Sequence, residues 1–259
     1  MKSFFRMSYP YILWIGIFIV APMIMILLYA ITRTGNNTLT FQFTLENFAR
    51  FFNEPSFLRV LLTSLRIALV TTVLCLLVGY PAALFIASLP EKRQTLMTLL
   101  LTLPMWINML LKTYAWRGIL EDMGFASEVK VLIGMVYDFL PYMIIQIHTA
   151  ISKMNRDLLT ASYDLGANRW QTFLKVTLPL SVPGIISGIT LVFLPAVSSF
   201  VIPNMLGGGD YYLIGNLIEN CFVHTGQWNF GSAISLIMAL IIITAMWATK
   251  KLDRSAQED

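Results

Sequence analysis

Charged residues are scarce in this chain of 259 residues: they make up 12% of it, whereas hydrophobic residues make up 57%. The mean hydropathy is +0.70. A water-soluble domain usually carries about 25% charged residues. Half that share leaves too few charges to cover a water-facing surface, which excludes an ordinary soluble protein and indicates that lipid covers much of the chain.

Residues that build metal and redox sites are also few. The two cysteines, Cys75 and Cys221, are far apart and match neither a metal-binding spacing nor a disulfide framework. The two histidines, His148 and His224, have no metal or catalytic partner at a recognisable spacing. No metal site is therefore predicted, and a membrane enzyme is disfavoured because catalytic clusters of His, Asp or Ser are missing.

Two binding functions are disfavoured by further absences. The basic residues are scattered at the ends of apolar runs, so the net charge of +4 does not indicate nucleic-acid binding. A phosphate-binding loop needs Gly, four residues, then Gly-Lys-Ser/Thr. The one match to its glycine spacing, Gly226–Gly231, is followed by Ser232 without a lysine. The chain is therefore not expected to hydrolyse ATP.

What the chain has in excess is long apolar runs. A membrane-spanning helix needs about 20 mainly apolar residues. The first run is too long for a signal-peptide core and has no clear cleavage site, so it is interpreted as a retained helix. The fifth run contains Pro195, which is expected to interrupt it. Six spans are predicted, at Tyr11–Ile31, Val60–Ala87, Leu96–Leu111, Val131–Ile151, Ile185–Ile202 and Phe230–Thr249.

The distribution of basic residues predicts the orientation of these spans. With the N-terminus in the cytoplasm, eleven Lys and Arg residues fall on the inner side and six, Lys112 among them, fall in outer loops. Arg66 is left inside a helix, and the last outer segment, Pro203–Asn229, has no Lys or Arg. Both termini are therefore predicted to be cytoplasmic.

The longest inner loop, Ser152–Pro183, has a helix–glycine–helix–proline pattern. Gly166 is expected to end the first helix, because glycine adopts the left-handed backbone without strain. A second short helix is predicted from about Asn168 to Thr177. Pro179, together with Pro183, is expected to end it before the fifth span.

The spacing within this loop resembles the EAA loop of ABC importer permeases, whose pattern is Glu-Ala-Ala, three residues, Gly, nine residues, Ile, one residue, Leu-Pro. Here Thr160-Ala161-Ser162 stands at the Glu-Ala-Ala position, and Gly166, Val176 and Leu178-Pro179 follow at the same sequence spacing. The chain departs from the pattern at Thr160, where the family usually has Glu, and Asp157 or Asp164 would have to supply that charge.

This resemblance implies that the loop is a coupling helix gripped by a separate cytoplasmic ATPase. Aromatic and arginine side chains are typical anchors of such interfaces. The residues assigned to coupling are Asp157, Ala161, Asp164, Gly166, Arg169, Trp170, Phe173, Leu178 and Pro179.

Nearly the whole chain resembles the spermidine/putrescine importer permeases of the PotB type. The residues that carry this resemblance include Leu77-Val78-Gly79-Tyr80-Pro81, Leu103-Pro104-Met105-Trp106-Ile107-Asn108, Asp164-Leu165-Gly166-Ala167 and Leu213-Ile214-Gly215-Asn216. The resemblance implies an all-α membrane protein with six transmembrane helices in the MetI-like permease fold.

The resemblance also implies an assembly and a domain division. The partners would be a second, PotC-like permease, two copies of a PotA-like ATPase that holds ATP and Mg²⁺, and a PotD-like extracytoplasmic polyamine-binding protein, with no cofactor on this chain. Residues 1–59 would form the first helix and an outer loop, and residues 60–250 the permease domain with the coupling loop 152–183. Residues 251–259 would be a cytoplasmic tail.

A path for polyamines, which are flexible cations, should offer carboxylates and aromatic faces. Asp138 is expected to face the bundle interior, because a charge at mid-helix costs about 2.5–3.5 kcal/mol on insertion scales. Helical spacing places it in one polar stripe with Tyr142, Gln146 and Thr149. Two interpretations stay open: the stripe lines a path, or Asp138 forms a structural pair with Arg66 or with a neighbouring helix.

Other residues are weaker candidates for the path. Near the outer end of the third span lie Trp106, Asn108 and Tyr114, for which anchoring at the membrane interface is the alternative. Asp210 and Glu219 lie in the outer loop without basic residues and are alternatively solvated loop acids. Gly184 and Gly188 present a face of small residues that favours close packing against another helix, with the partner permease as one option.

Two rival functions are also considered for this sequence. The same kind of permease could import thiosulfate, iron or an organic anion, although an anion path would want inward-facing basic residues and only Arg66 stands inside a predicted helix. An ATP-independent secondary transporter or channel is less compatible with the chain, because such proteins lack a coupling loop of this spacing.

Overall fold

The computed structural model describes Tyr11 and residues 13–33, 42–209 and 211–258, with side chains as far as residue 251. Helices account for most of these residues, and the one β-type pairing among them is an isolated bridge between Thr32 and Phe43. The helices are α1 Leu13–Ala30, α2 Glu46–Asn53, α3 Pro55–Ser88, α4 Glu91–Trp106, α5 Met109–Glu121, α6 Ser127–Ser152, α7 Arg156–Asp164, α8 Arg169–Ser198, α9 Val201–Leu206, α10 Ile214–Glu219 and α11 Trp228–Glu258.

Five of the described helices, α1, α3, α6, α8 and α11, are long and apolar enough to cross a membrane. The helices α4 and α5 form a sixth crossing if the bent pair is one span. The predicted all-α membrane protein is confirmed, with five spans, or six if the bent pair counts as one.

The prediction of one continuous third helix over Leu96–Leu111 is wrong. The chain breaks between α4 and α5, where Ile107 and Asn108 have extended backbones with ψ of 137° and 132°. The Asn108 side chain accepts a hydrogen bond of 2.8 Å from the Leu110 amide and thereby caps α5. The two helices meet at 90° as a result.

The predicted breaks at Pro179, Pro183 and Pro195 are also wrong. A single helix, α8, runs through all three prolines. A widened π turn at Phe173–Thr177 precedes the first proline, and there the Leu178 amide donates to the Phe173 carbonyl, five residues back. Because Pro179 follows this turn at the start of regular α-helix, its missing N–H and its ring are tolerated.

The chain forms two compact units, Met1–Leu61 with Leu217–Ile241 and Leu62–Asn216 with Ile242–Asp259. In the second unit, α6 packs closely along α8. A Cβ atom on Gly184 would lie 2.5 Å from the Ala150 Cβ and 2.9 Å from the Gln146 carbonyl oxygen, and one on Gly188 would lie 2.6 Å from the Met143 sulfur. The predicted small-residue face therefore packs against a helix of this same chain.

In the first unit, two asparagines hold the carboxyl end of α1. The Asn47 amide donates to the carbonyls of Ala30 and Thr32, both at 3.1 Å. The Asn229 amide donates to the Tyr29 and Thr32 carbonyls at 2.9 and 3.0 Å, and to the Thr32 hydroxyl at 3.1 Å. These bonds satisfy carbonyl groups that a helix end leaves without an internal partner.

Removing both asparagines is expected to destabilise the chain by more than the sum of the two single losses. Each single Asn→Ala change should cost about 1 kcal/mol, because Thr32 keeps one of its two amide donors. The N47A/N229A variant leaves the Thr32 carbonyl without either amide, so the two effects should couple. Denaturation in mixed micelles measures this, with exposed Asn53→Ala as the control that should change little; strictly additive losses would contradict the shared role.

Candidate functional site

Gly166 ends α7 in the way that the sequence predicts. Its φ is +83°, the left-handed conformation that glycine adopts readily. The Ala167 amide donates to the Ser162 carbonyl at 3.1 Å and the Gly166 amide to the Tyr163 carbonyl at 2.9 Å. This pair of bonds is the Schellman arrangement, and it turns the chain sharply from α7 towards α8.

The start of α8 is equally well defined. Asn168 and Gln171 form a reciprocal capping box, in which each side chain accepts from the backbone amide of the other, at 2.8 and 2.9 Å. The hydroxyls of Ser162 and Thr172 lie 2.9 Å apart and join the two helices. The loop is consequently a stiff helical knob at the end of α8.

A row of aromatic side chains connects this knob to α3. The rings of Trp170 and Phe173 stack with centroids 5.4 Å apart, and Phe173 meets Tyr80 edge-on at 5.8 Å. The Tyr80 hydroxyl lies 2.8 Å from the Ser181 hydroxyl in a buried position. Sequence reasoning did not assign Tyr80 to the site, although the motif Gly79-Tyr80-Pro81 was a signal for it.

Large apolar side chains are exposed on the knob. Leu165 is 89% exposed and Trp170 66% exposed, beside the exposed charges of Asp157, Asp164 and Arg169. Such a patch marks a surface that receives a partner. An open groove of about 570 Å³ runs along it, lined by Leu158, Ala161, Ser162, Leu165, Gly166, Ala167, Gln171, Lys175 and Val176.

An ion pair lies where α5 meets α6, between the Lys112 ammonium and the Asp138 carboxylate. Their side chains are only 11% and 14% exposed. The prediction that Lys112 lies in an outer loop is wrong, because the break at Asn108 starts a new helix that carries Lys112 in its first turns. Of the two partners suggested for Asp138, Arg66 is wrong, because it pairs with Glu128 at 2.8 Å. The other suggestion, a pair with a neighbouring helix, agrees with the contact to Lys112 on α5.

The predicted polar stripe lies on the less buried side of α6. Tyr142 is 36% exposed and Gln146 half-buried, whereas Met143 and Ile147 on the opposite side are fully buried. Beside the ion pair, Trp116 and Tyr137 make an edge-to-face contact with centroids 5.2 Å apart. The structure thus brings Lys112, Asp138 and two rings together in the same region.

The remaining predicted residues are spread over several places. Trp106 is 81% exposed and Tyr114 64% exposed, on either side of the helix break at Asn108. Asp210 lies outside the described residues; its half-buried neighbour Tyr211 has a phenol whose pKa is raised by burial. Glu219 is the last residue of α10 and belongs to the other compact unit.

Apolar helices of membrane-spanning length and an exposed helical knob between two of them define the class, a transmembrane transport permease. The chain belongs to the family of binding-protein-dependent transport system inner membrane components, which it matches over residues 2–258. It is therefore a multi-pass protein of the bacterial inner membrane.

Two curated relatives are similar along nearly their whole length. The spermidine/putrescine transport system permease protein PotB of Haemophilus influenzae is 38% identical, with 94% of this chain and 93% of that protein aligned. The protein of the same name from Escherichia coli K12 is 35% identical, with 94% and 97% aligned.

Two solved structures share the fold. A bacterial ABC transporter involved in the import of the acidic polysaccharide alginate has a TM-score of 0.79 at 17% identity, over 98% of this chain and 96% of that one. The MetNI methionine ABC transporter, in an inward-facing conformation, has a TM-score of 0.62 at 13% identity, over 77% and 95%. They confirm the predicted MetI-like permease fold.

Proposed function

We propose that this chain is the permease subunit of an ATP-driven importer that carries polyamines, spermidine or putrescine, into the cell. The observation that carries the proposal is the 38% identity, over 94% of the chain, to a spermidine/putrescine permease. The ATP is hydrolysed by a separate subunit, and this chain binds no cofactor of its own.

The proposed assembly pairs this chain with a PotC-like permease, two PotA-like ATPases carrying ATP and Mg²⁺, and a PotD-like binding protein. A related fold supports the last partner, since a bacterial alginate ABC transporter is known in complex with a pentasaccharide-bound periplasmic protein, at a TM-score of 0.71. Both termini of this chain, including the tail 251–259, are proposed to be cytoplasmic. Residues 60–250 form the proposed permease domain after an N-terminal segment 1–59.

The coupling loop is proposed to act as a lever. Trp170 and Leu165 stand exposed on the knob, where an ATPase groove can receive them. The knob continues without a break into the 30-residue helix α8. A displacement of the knob is therefore passed along α8 as a rigid body, and the tight contacts at Gly184 and Gly188 pass it to α6, which carries Asp138.

The substrate path is proposed to follow the polar stripe of α6. Asp138 offers a carboxylate to an ammonium group, and Tyr142 and Gln146 offer a ring face and an amide. Around the helix break, Trp106, Asn108 and Tyr114 are proposed to line the path. Asp210 and Glu219, which belong to the segment without Lys or Arg, are proposed to attract cations.

Transport by the reconstituted complex tests this function. Proteoliposomes that contain the two permeases and the ATPase, supplied with binding protein, are expected to accumulate labelled spermidine only when ATP is present. Excess unlabelled putrescine should compete, whereas thiosulfate should not. Uptake of thiosulfate or an organic anion in place of spermidine would assign the chain to the rival cargo, and uptake without ATP would make it a secondary transporter.

A further inference from the structure

The Lys112–Asp138 pair differs from the other ion pairs of the described residues in its burial. Its side chains are 11% and 14% exposed, whereas those of Arg66–Glu128 are 57% and 41% exposed. Both Lys112 and Asp138 come from segments that cross or enter the membrane, where an unpaired charge is unfavourable and usually marks a functional site. The carboxylate therefore needs a cation beside it at all times.

The surroundings of the pair suit a second cation. Tyr137 directly precedes Asp138 in the chain, and Tyr142 lies one helical turn after it on α6. Each of these tyrosines is 36% exposed. Trp116 lies one helical turn beyond Lys112 and touches Tyr137 edge-to-face at 5.2 Å. Ring faces attract ammonium groups, so a cation near Asp138 meets aromatic neighbours as well as the carboxylate.

We propose that the Lys112 ammonium occupies the position beside Asp138 that an ammonium group of the substrate would take, and that an arriving polyamine displaces it. This inference rests on the proposed function. A lysine side chain is a primary ammonium on a flexible four-carbon stem, which is the chemistry that a polyamine presents. The exchange keeps the carboxylate paired throughout, and the displaced lysine can move to the ring faces of Trp116 and Tyr137.

The exchange also explains how the polyamine leaves Asp138. A path conducts only if binding is strong enough for entry and weak enough for exit. An unpaired carboxylate in apolar surroundings would hold a polyamine tightly. Lys112, which is tethered at high local concentration, competes for Asp138 and returns to it when the substrate moves on.

A set of charge-neutralising variants in the complete reconstituted complex separates this role from a structural one. D138N and K112Q/D138N are expected to lower spermidine uptake by at least about tenfold at saturating binding protein. K112Q alone should lower uptake by about threefold, less than D138N does, because the substrate itself can still pair with Asp138 but lacks the competing ammonium that helps to release it. Copurification of the ATPase reports that each variant still assembles, and R66Q/E128Q, which neutralises an exposed pair between α3 and α6, should transport normally.

Each other outcome overturns the inference. A purely structural pair predicts that K112Q/D138N regains wild-type uptake, since neither charge is then left alone; the polyamine function would stand. A loss of uptake in K112Q but not in D138N would make the lysine the binding group, as in an anion path. An equal loss of uptake in R66Q/E128Q would show that removing any ion pair impairs transport. A wild-type complex that imports no polyamine would overturn the proposed function and this inference together.

Discussion

Replacing Trp170 with alanine is expected to reduce ATP-dependent uptake by roughly thirtyfold, because truncating an aromatic anchor at an interface costs about 2 kcal/mol or more. The indole is 66% exposed on the knob, so its loss leaves no cavity inside this chain. It also stacks on Phe173, whose ring reaches Tyr80 on α3. Because the ring is mostly exposed, the effect should appear mainly in the proposed ATPase contact, with only a small loss of permease stability from the lost stacking on Phe173.

A second tryptophan provides the control for this variant. Trp247 on α11 is likewise 66% exposed and lies far along the chain from the coupling loop. W247A should retain the ATPase through detergent purification, whereas W170A should lose most of it. An ATPase that stays with W170A at the wild-type level, together with normal uptake, would show that the knob is not the contact.

Enlarging Gly184 is expected to prevent the chain from folding into its packed form. Overpacking usually costs about 1–3 kcal/mol and occasionally more, and here the added carbon would lie 2.5 Å from the Ala150 side chain and 2.9 Å from a backbone oxygen. Backbone cannot move aside as a flexible side chain can. Gly184→Val should consequently lower the yield of monodisperse protein more than Gly184→Ala.

Gly118 is the matched control for the glycine series. It too is a glycine within a helix, α5, but a Cβ atom added there meets nothing within 4 Å. Gly118→Ala and Gly118→Val should leave the yield and the thermal midpoint in detergent nearly unchanged. If both series behaved alike, the contact between α6 and α8 would not be the cause.

Local sequence and tertiary contacts determine different features of this protein. The apolar runs predict the membrane spans because the thickness of a bilayer sets the length of a helix that crosses it. The helix stop at Gly166 follows from the backbone freedom of one residue type. Residue type and spacing along the chain are sufficient for both features.

Contacts between residues that are far apart in the chain do not follow from residue type and spacing. Whether Pro179 stops a helix depends on the register of the preceding turn, and the π turn at Phe173–Thr177 lets the helix continue. Tyr80 and Ser181 are 101 residues apart in the chain, yet their hydroxyls meet. No local pattern reports such a contact, because it depends on how two helices pack.

The amino-acid sequence was sufficient for the apolar spans, the family resemblance and the helix stop at Gly166, since length, polarity and glycine position are local properties. The partner of Asp138 required the tertiary structure. Only the 90° turn between α4 and α5 brings Lys112 to Asp138. Which charges pair in a membrane is decided by helix direction and packing, which the order of residues along the chain does not display.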